Sequence, residues 1–244
     1  MSEIVIRQLT PEITTFSKPF SKFLGLLPMG GRSTAIKLSD DTLWVIASTP
    51  LTRGTKDAID DMNATVVYIV AASADHHFYL TEWHKAYPEA KVIGVQGLPE
   101  KKKGEDWQFT GSYGVDPADA TYGFEDEIKA IYFSGFSKKD VAWFHVASKT
   151  LLVADLIFNL PATEQYSKSD SPNAKPAFFF PKFEPYSDGF KKFLWAEGKD
   201  KSEMKRDAKA VAEWDFERII MCHGDVIEKD AKKAWESAFS RYLV

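Results

Sequence analysis

The chain has 244 residues, a formal charge of -4, 44% hydrophobic and 27% charged residues, which is enough for one α/β domain with a substantial core. The acidic balance argues against a nucleic-acid partner, and the one basic run, residues 101–103, lies between Glu100 and Glu105 as a solvated loop would. A single cysteine, Cys222, excludes an internal disulfide and no stretch reaches membrane-spanning length, so no membrane association is expected.

The first nine residues lack the basic start and apolar run of a signal peptide, and the expectation is a soluble, cytoplasmic protein. Weak alternation over residues 3–9 and 12–17 predicts an opening pair of strands. Residues 33–38 and 43–48, joined by Ser39-Asp40-Asp41, predict a hairpin. A short helix over 54–63 precedes an apolar, β-branched strand over 65–72. His76, Leu80, Trp83 and Tyr87 recur at helical spacing until Pro88 stops the helix, and residues 91–95 form the next strand.

After the charged loop come strands over 128–135, 141–146 and 150–158. Residues 163–177 are polar and contain proline, and an aromatic-rich run follows from Phe178 to Trp195. A helix over about 200–214, a strand over 218–222 and a closing helix over about 228–242 complete the chain. Strands that arrive in runs with helices at intervals predict two sheets covered by outer helices, rather than a simple βα alternation.

Phosphate-loop, dinucleotide, His-Glu-x-x-His, Cys-x-x-Cys and Gly-x-Ser-x-Gly motifs are all absent. What remains is three strand ends that carry metal-ligand residue types. Asp75-His76 follows the strand at 65–72, Asp155 ends "TLLVA", and His223 ends "RIIMC". Two carboxylates and two imidazoles suffice for Zn²⁺ and suit Fe²⁺ or Mn²⁺. Taken singly, each residue has a plainer role. Asp75 could cap the following helix, His76 could be a core histidine, Asp155 a strand-exit residue, and His223 could bond a loop carbonyl.

In conjunction they resemble the metallo-β-lactamase superfamily, which carries His-x-His-x-Asp-His after a buried strand, a Gly-His turn, an Asp after "LL-x-x" and a His ending a late strand. Asp75-His76, Asp155 and His223 match, while Ala71, Ser73 and Phe136 stand where the other three histidines would be. Ser48 likewise stands where an aspartate usually supports the ligands. The segments "HHFYLTEW", "HVASKTLLVADLIFN" and "HGD" are similar to a branch of that superfamily known as a domain of unknown function.

The resemblance implies a four-layered αββα sandwich over residues 1–244, with an insertion at about 163–195. It implies one divalent metal, Zn or else Fe or Mn, on Asp75, His76, Asp155 and His223. The ring of Phe136 would fill the place of a second ion. Asp75 is also the candidate catalytic carboxylate, with His77 and Ser73 as supporting residues. The implied activity is metal-dependent hydrolysis of an ester, lactone or amide of a small apolar molecule. Its rivals are a non-catalytic descendant kept for ligand or protein binding and an iron redox protein. His145 is set apart, about 16 Å from Asp155 along the hairpin at strand rise. Cys222 should face away from its neighbour His223 as a buried thiol. The aromatic run over 178–195 is either an apolar lid over the site or packing against outer helices or a homodimer interface.

Overall fold

A computed structural model describes residues 4–244. The expected first strand began at residue 3, which lies outside the described residues. The β-rich N-terminal half builds a seven-stranded sheet in the order β1-β2-β5-β6-β7-β8-β9. Its strands are β1 (Val5–Gln8), β2 (Ile13–Lys18), β5 (Gly31–Lys37), β6 (Thr42–Ile46), β7 (Thr65–Val70), β8 (Lys91–Val95) and β9 (Gly111–Tyr113). A two-stranded pair, β3 (Ser21–Lys22) and β4 (Leu27–Pro28), projects from the loop between β2 and β5. The second sheet contains β10 (Ile128–Tyr132), β11 (Val141–His145), β12 (Thr150–Val153) and β13 (Arg218–Met221) in that order.

Alternation along each strand fixes the layers, because successive side chains point to opposite faces. On the second sheet Trp143, Leu152 and Ile220 face the first sheet, and Trp143 meets Trp44 edge-on with centroids 5.2 Å apart. The intervening Phe144, Leu151 and Met221 face outward, where they are covered by helices Asp188–Glu197, Lys201–Ala212 and Ala231–Ala238. On the far side Ile59, Leu80 and Trp83, from helices Arg53–Asp60 and Leu80–Ala86, join the first core. Each sheet is therefore covered on one face by its partner and on the other by helices, giving the expected αββα sandwich.

Two sets of parallel neighbours orient the chemistry. β6, β7 and β8 run parallel in the first sheet, and β12 runs parallel to β13 in the second. The loops that leave the carboxyl ends of β7, β12 and β13 are those that carry Ser73 to His76, Asp155 and His223.

Candidate metal centre

The stretch after β7 is a turn, not the start of a helix. The helix begins only at Leu80, with Tyr79 at its N-cap and no side-chain cap, so Asp75 is not the capping residue. The Ser73 hydroxyl accepts the Asp75 N–H at 3.3 Å, and the Ser73 carbonyl accepts that of His76 at 3.2 Å. Ser73 thus holds the turn that leads into His76.

Asp155 is placed by a residue that the sequence did not single out. The buried carboxylate of Asp140, immediately before β11, accepts the backbone N–H groups of Ala154, Asp155 and Leu156 at 3.3, 2.6 and 3.0 Å. Burial, and next the neighbouring charge of Asp155, push the Asp140 carboxyl up to about 7, against the pull of those donors. The only trace of Asp140 in the sequence is an acid immediately before an apolar strand, a pattern shared with ordinary turn residues.

His223 follows β13 and is 4% exposed. Its Nδ1 lies 2.6 Å from the Gly30 carbonyl, which can only accept, so Nδ1 carries the proton and Nε2 presents a lone pair to the site. Burial lowers the imidazole to about 4, so the ring is neutral at physiological pH. Next to it Gly224 has φ +94°, and a Cβ there would lie 2.3 Å from the Asn159 carbonyl oxygen, so the turn requires glycine.

These three loops bring His76, Asp155 and His223 together, with one ligand atom from each lying within 4.8 Å of the others. Nε2 of His76 and Nε2 of His223 are 3.5 and 3.4 Å from the same oxygen, Oδ1 of Asp155. That oxygen is buried and has no hydrogen-bond partner. A buried carboxylate oxygen left unpaired between two imidazole nitrogens is costly unless something binds it. A divalent cation would answer that need, and the N₂O donor set is one that zinc, iron and manganese accept. Although burial opposes it, the two histidines and Lys138 hold Asp155 well below the usual carboxylate range. Burial likewise opposes charge on His76, but Cys222 and Asp155 outweigh it and raise that imidazole.

The fourth expected ligand stands apart. Asp75 is half exposed, and its Oδ2 pairs with Lys138 Nζ at 3.0 Å. The same ammonium lies 3.2 Å from the other oxygen of Asp155, Oδ2. Phe136, whose ring was expected to fill the neighbouring space, is fully buried in the core beneath the outer helices, and Lys138 reaches the carboxylates instead. His77 stacks on Phe78, and its Nδ1 is buried without a partner. His145 bonds Ser148 at the hairpin turn. Cys222 is buried but faces the interior beside the site, with Sγ 3.7 Å from Ser48 Oγ, rather than away from it.

A cavity of about 720 Å³ opens over the three residues. Its apolar walls are Phe20, Phe78 and Tyr79, and Lys18, Lys22 and Lys101 stand among its lining residues. The segment expected to form a lid supplies none of the lining side chains. Its Phe183, Phe190 and Phe193 pack instead around Phe158, whose ring meets His223 edge-on at 5.3 Å. The helix Asp188–Glu197 forms there because Ser187 caps it and Phe190 and Leu194, four residues apart, bury against the second sheet.

This sandwich, with its site at the carboxyl ends of the strands, is the metallo-β-lactamase fold. The metallo-β-lactamase from Pontibacter korlensis aligns over 98% of this chain and 99% of its own, at 10% identity and a TM-score of 0.60. A metallo-β-lactamase from Hirschia baltica aligns over 98% and 97%, at 8% identity and 0.62. A mutant of the flavo di-iron protein from Thermotoga maritima aligns over 99% of this chain and 63% of its own, at 12% identity and 0.67. The chain belongs to the family described as a domain of unknown function, DUF4336, whose sequence profile matches residues 24–179 and so takes in Asp75, His76 and Asp155. No curated protein matches the sequence.

Proposed function

We propose that the protein is a mononuclear metal-dependent hydrolase that cleaves an ester, lactone or amide bond in a small molecule with an apolar body and an acidic group. The observation that supports it most is the buried, unpartnered Oδ1 of Asp155 facing the Nε2 atoms of His76 and His223. Three protein donors leave a tetrahedral ion one open position, the arrangement of catalytic rather than structural sites. A divalent ion on these residues would polarise a carbonyl and make a water acidic enough to attack it.

The chain's own contribution is orientation and selection. The Gly30 carbonyl fixes the tautomer of His223, and Asp140 fixes the loop that bears Asp155. Phe20, Phe78 and Tyr79 offer the apolar wall, and Lys18, Lys22 and Lys101 offer positive charge to an anionic group.

A panel of chromogenic aryl esters and lactones, with and without a carboxylate, tests this reading on metal-loaded protein. Turnover that is lost in His223→Ala, and a KM that rises for the acidic members alone in Lys22→Glu, are the expected results. An ion bound at full stoichiometry with no turnover across the panel would favour the non-catalytic, ligand-binding alternative.

A further inference from the structure

The two carboxylate oxygens of Asp155 face different partners. Its Oδ1 faces the imidazoles of His76 and His223, at 3.5 and 3.4 Å. Its Oδ2 faces the Lys138 ammonium at 3.2 Å, and that ammonium also holds Oδ2 of Asp75 at 3.0 Å. Lys138 is held in place at its backbone, where its carbonyl accepts the N–H of Ala74 at 2.8 Å, one residue before Asp75. The Lys138 side chain is 17% exposed, so its charge is only partly screened. The three positions at which the resemblance expects further histidines supply no imidazole. Ala71 carries no donor, the Ser73 hydroxyl accepts the Asp75 N–H, and Phe136 is turned into the outer core.

We propose that the ammonium of Lys138 is a built-in second cation of this centre, occupying Asp75 and the outer oxygen of Asp155 so that the site takes one metal ion on three ligands. The inference rests on the metal reading above and extends it to why there is one ion and why a position stays open. Without Lys138, two carboxylates would flank the centre unneutralised. Asp75 would then be free to become a fourth ligand or, with Oδ2 of Asp155, to hold a further ion. A positive charge next to Asp155 also repels an incoming cation, so its removal strengthens binding.

The test is Zn²⁺ titration of the chelator-stripped full chain by calorimetry, with bound metal counted by mass spectrometry. Wild type is expected to take one equivalent. Lys138→Met is expected to take a second equivalent, or to bind the first about fivefold or more tightly. Adding Asp75→Asn to Lys138→Met should abolish that gain. If Lys138→Met does not fold, Lys138→Gln, which is neutral and similar in length, carries the same expectation. One equivalent bound by the folded variant with less than that gain, or more weakly than wild type, overturns the inference alone. A wild-type chain that takes up no ion overturns the metal reading and this inference together.

Discussion

At the scale of single residues, the centre depends on which side chains share a buried, unpaired face. His76, Asp155 and His223 do, whereas Asp75 is engaged by Lys138. Zn²⁺ affinity should therefore fall by at least about a hundredfold in His76→Ala, Asp155→Asn or His223→Ala, but by less than about fivefold in Asp75→Asn. Calorimetry on the four variants checks this, and an equal loss in Asp75→Asn would return that residue to the ligand set. The strand-end pattern made the three convergent residues legible, because parallel strands deliver their exits to one edge. The role of Asp75 was not legible. Its ligation depended on a competing cation 63 positions away in sequence, and Lys138 sits in a run of two lysines that looks like solvated surface. The tautomer of His223 was also hidden, because its partner is a backbone carbonyl at Gly30.

At the scale of elements, the periodic segments stand close to where the sequence put them. β8 spans Lys91–Val95 as expected, and the hairpin around Ser39 to Asp41 forms as β5 and β6. The discrepancies lie where apolar periodicity runs past the end of an element. His76 shares the helical stripe but lies in the turn before the helix and points into the site, and residues 154–158 leave β12 as an irregular loop pinned by Asp140. Helix Asp188–Glu197 was hidden inside an aromatic run, and the closing helix divides into Ala231–Ala238 and Ser240–Leu243.

Helix Lys201–Ala212 makes a pH prediction. Burial raises its Asp207 to about 6, although Arg206 pulls the other way. The folded state thus holds this proton more tightly than the unfolded chain, so the contribution is full below about pH 4 and is lost as pH rises through about 6. Asp207→Asn should gain stability relative to wild type between pH 5 and pH 7.5, on the order of 1 kcal/mol by denaturant unfolding. A difference that does not change with pH would contradict it.

At the scale of the molecule, the two sheets are tied near the site by a buried cation. The fully buried Arg32 of β5 donates to the carbonyls of Met221 and Gly224 at 2.7 and 2.8 Å and to Glu164 at 3.1 Å. Glu164, in the short helix Thr163–Tyr166, also accepts from Arg7 of β1 at 2.9 Å. Glu164→Ala would leave the guanidinium buried without its counter-charge, at a cost of about 3 kcal/mol and a melting temperature lower by roughly 10 °C. Unchanged melting would show the tie to be dispensable. The aromatic run also takes its meaning at this scale. Phe183, Phe190 and Phe193 brace Phe158 behind His223, and the apolar wall of the cavity is built from residues 20 and 78–79 instead.

The central claim, one divalent ion on His76, Asp155 and His223, is tested most directly by the metal content of protein purified without added metal. Elemental mass spectrometry, run beside the His223→Ala variant as a control, reads it. The expected result is close to one equivalent per chain, of zinc or else iron or manganese, and next to none in the variant. Wild-type protein that carries no stoichiometric metal, or a variant that carries as much as wild type, would contradict the account.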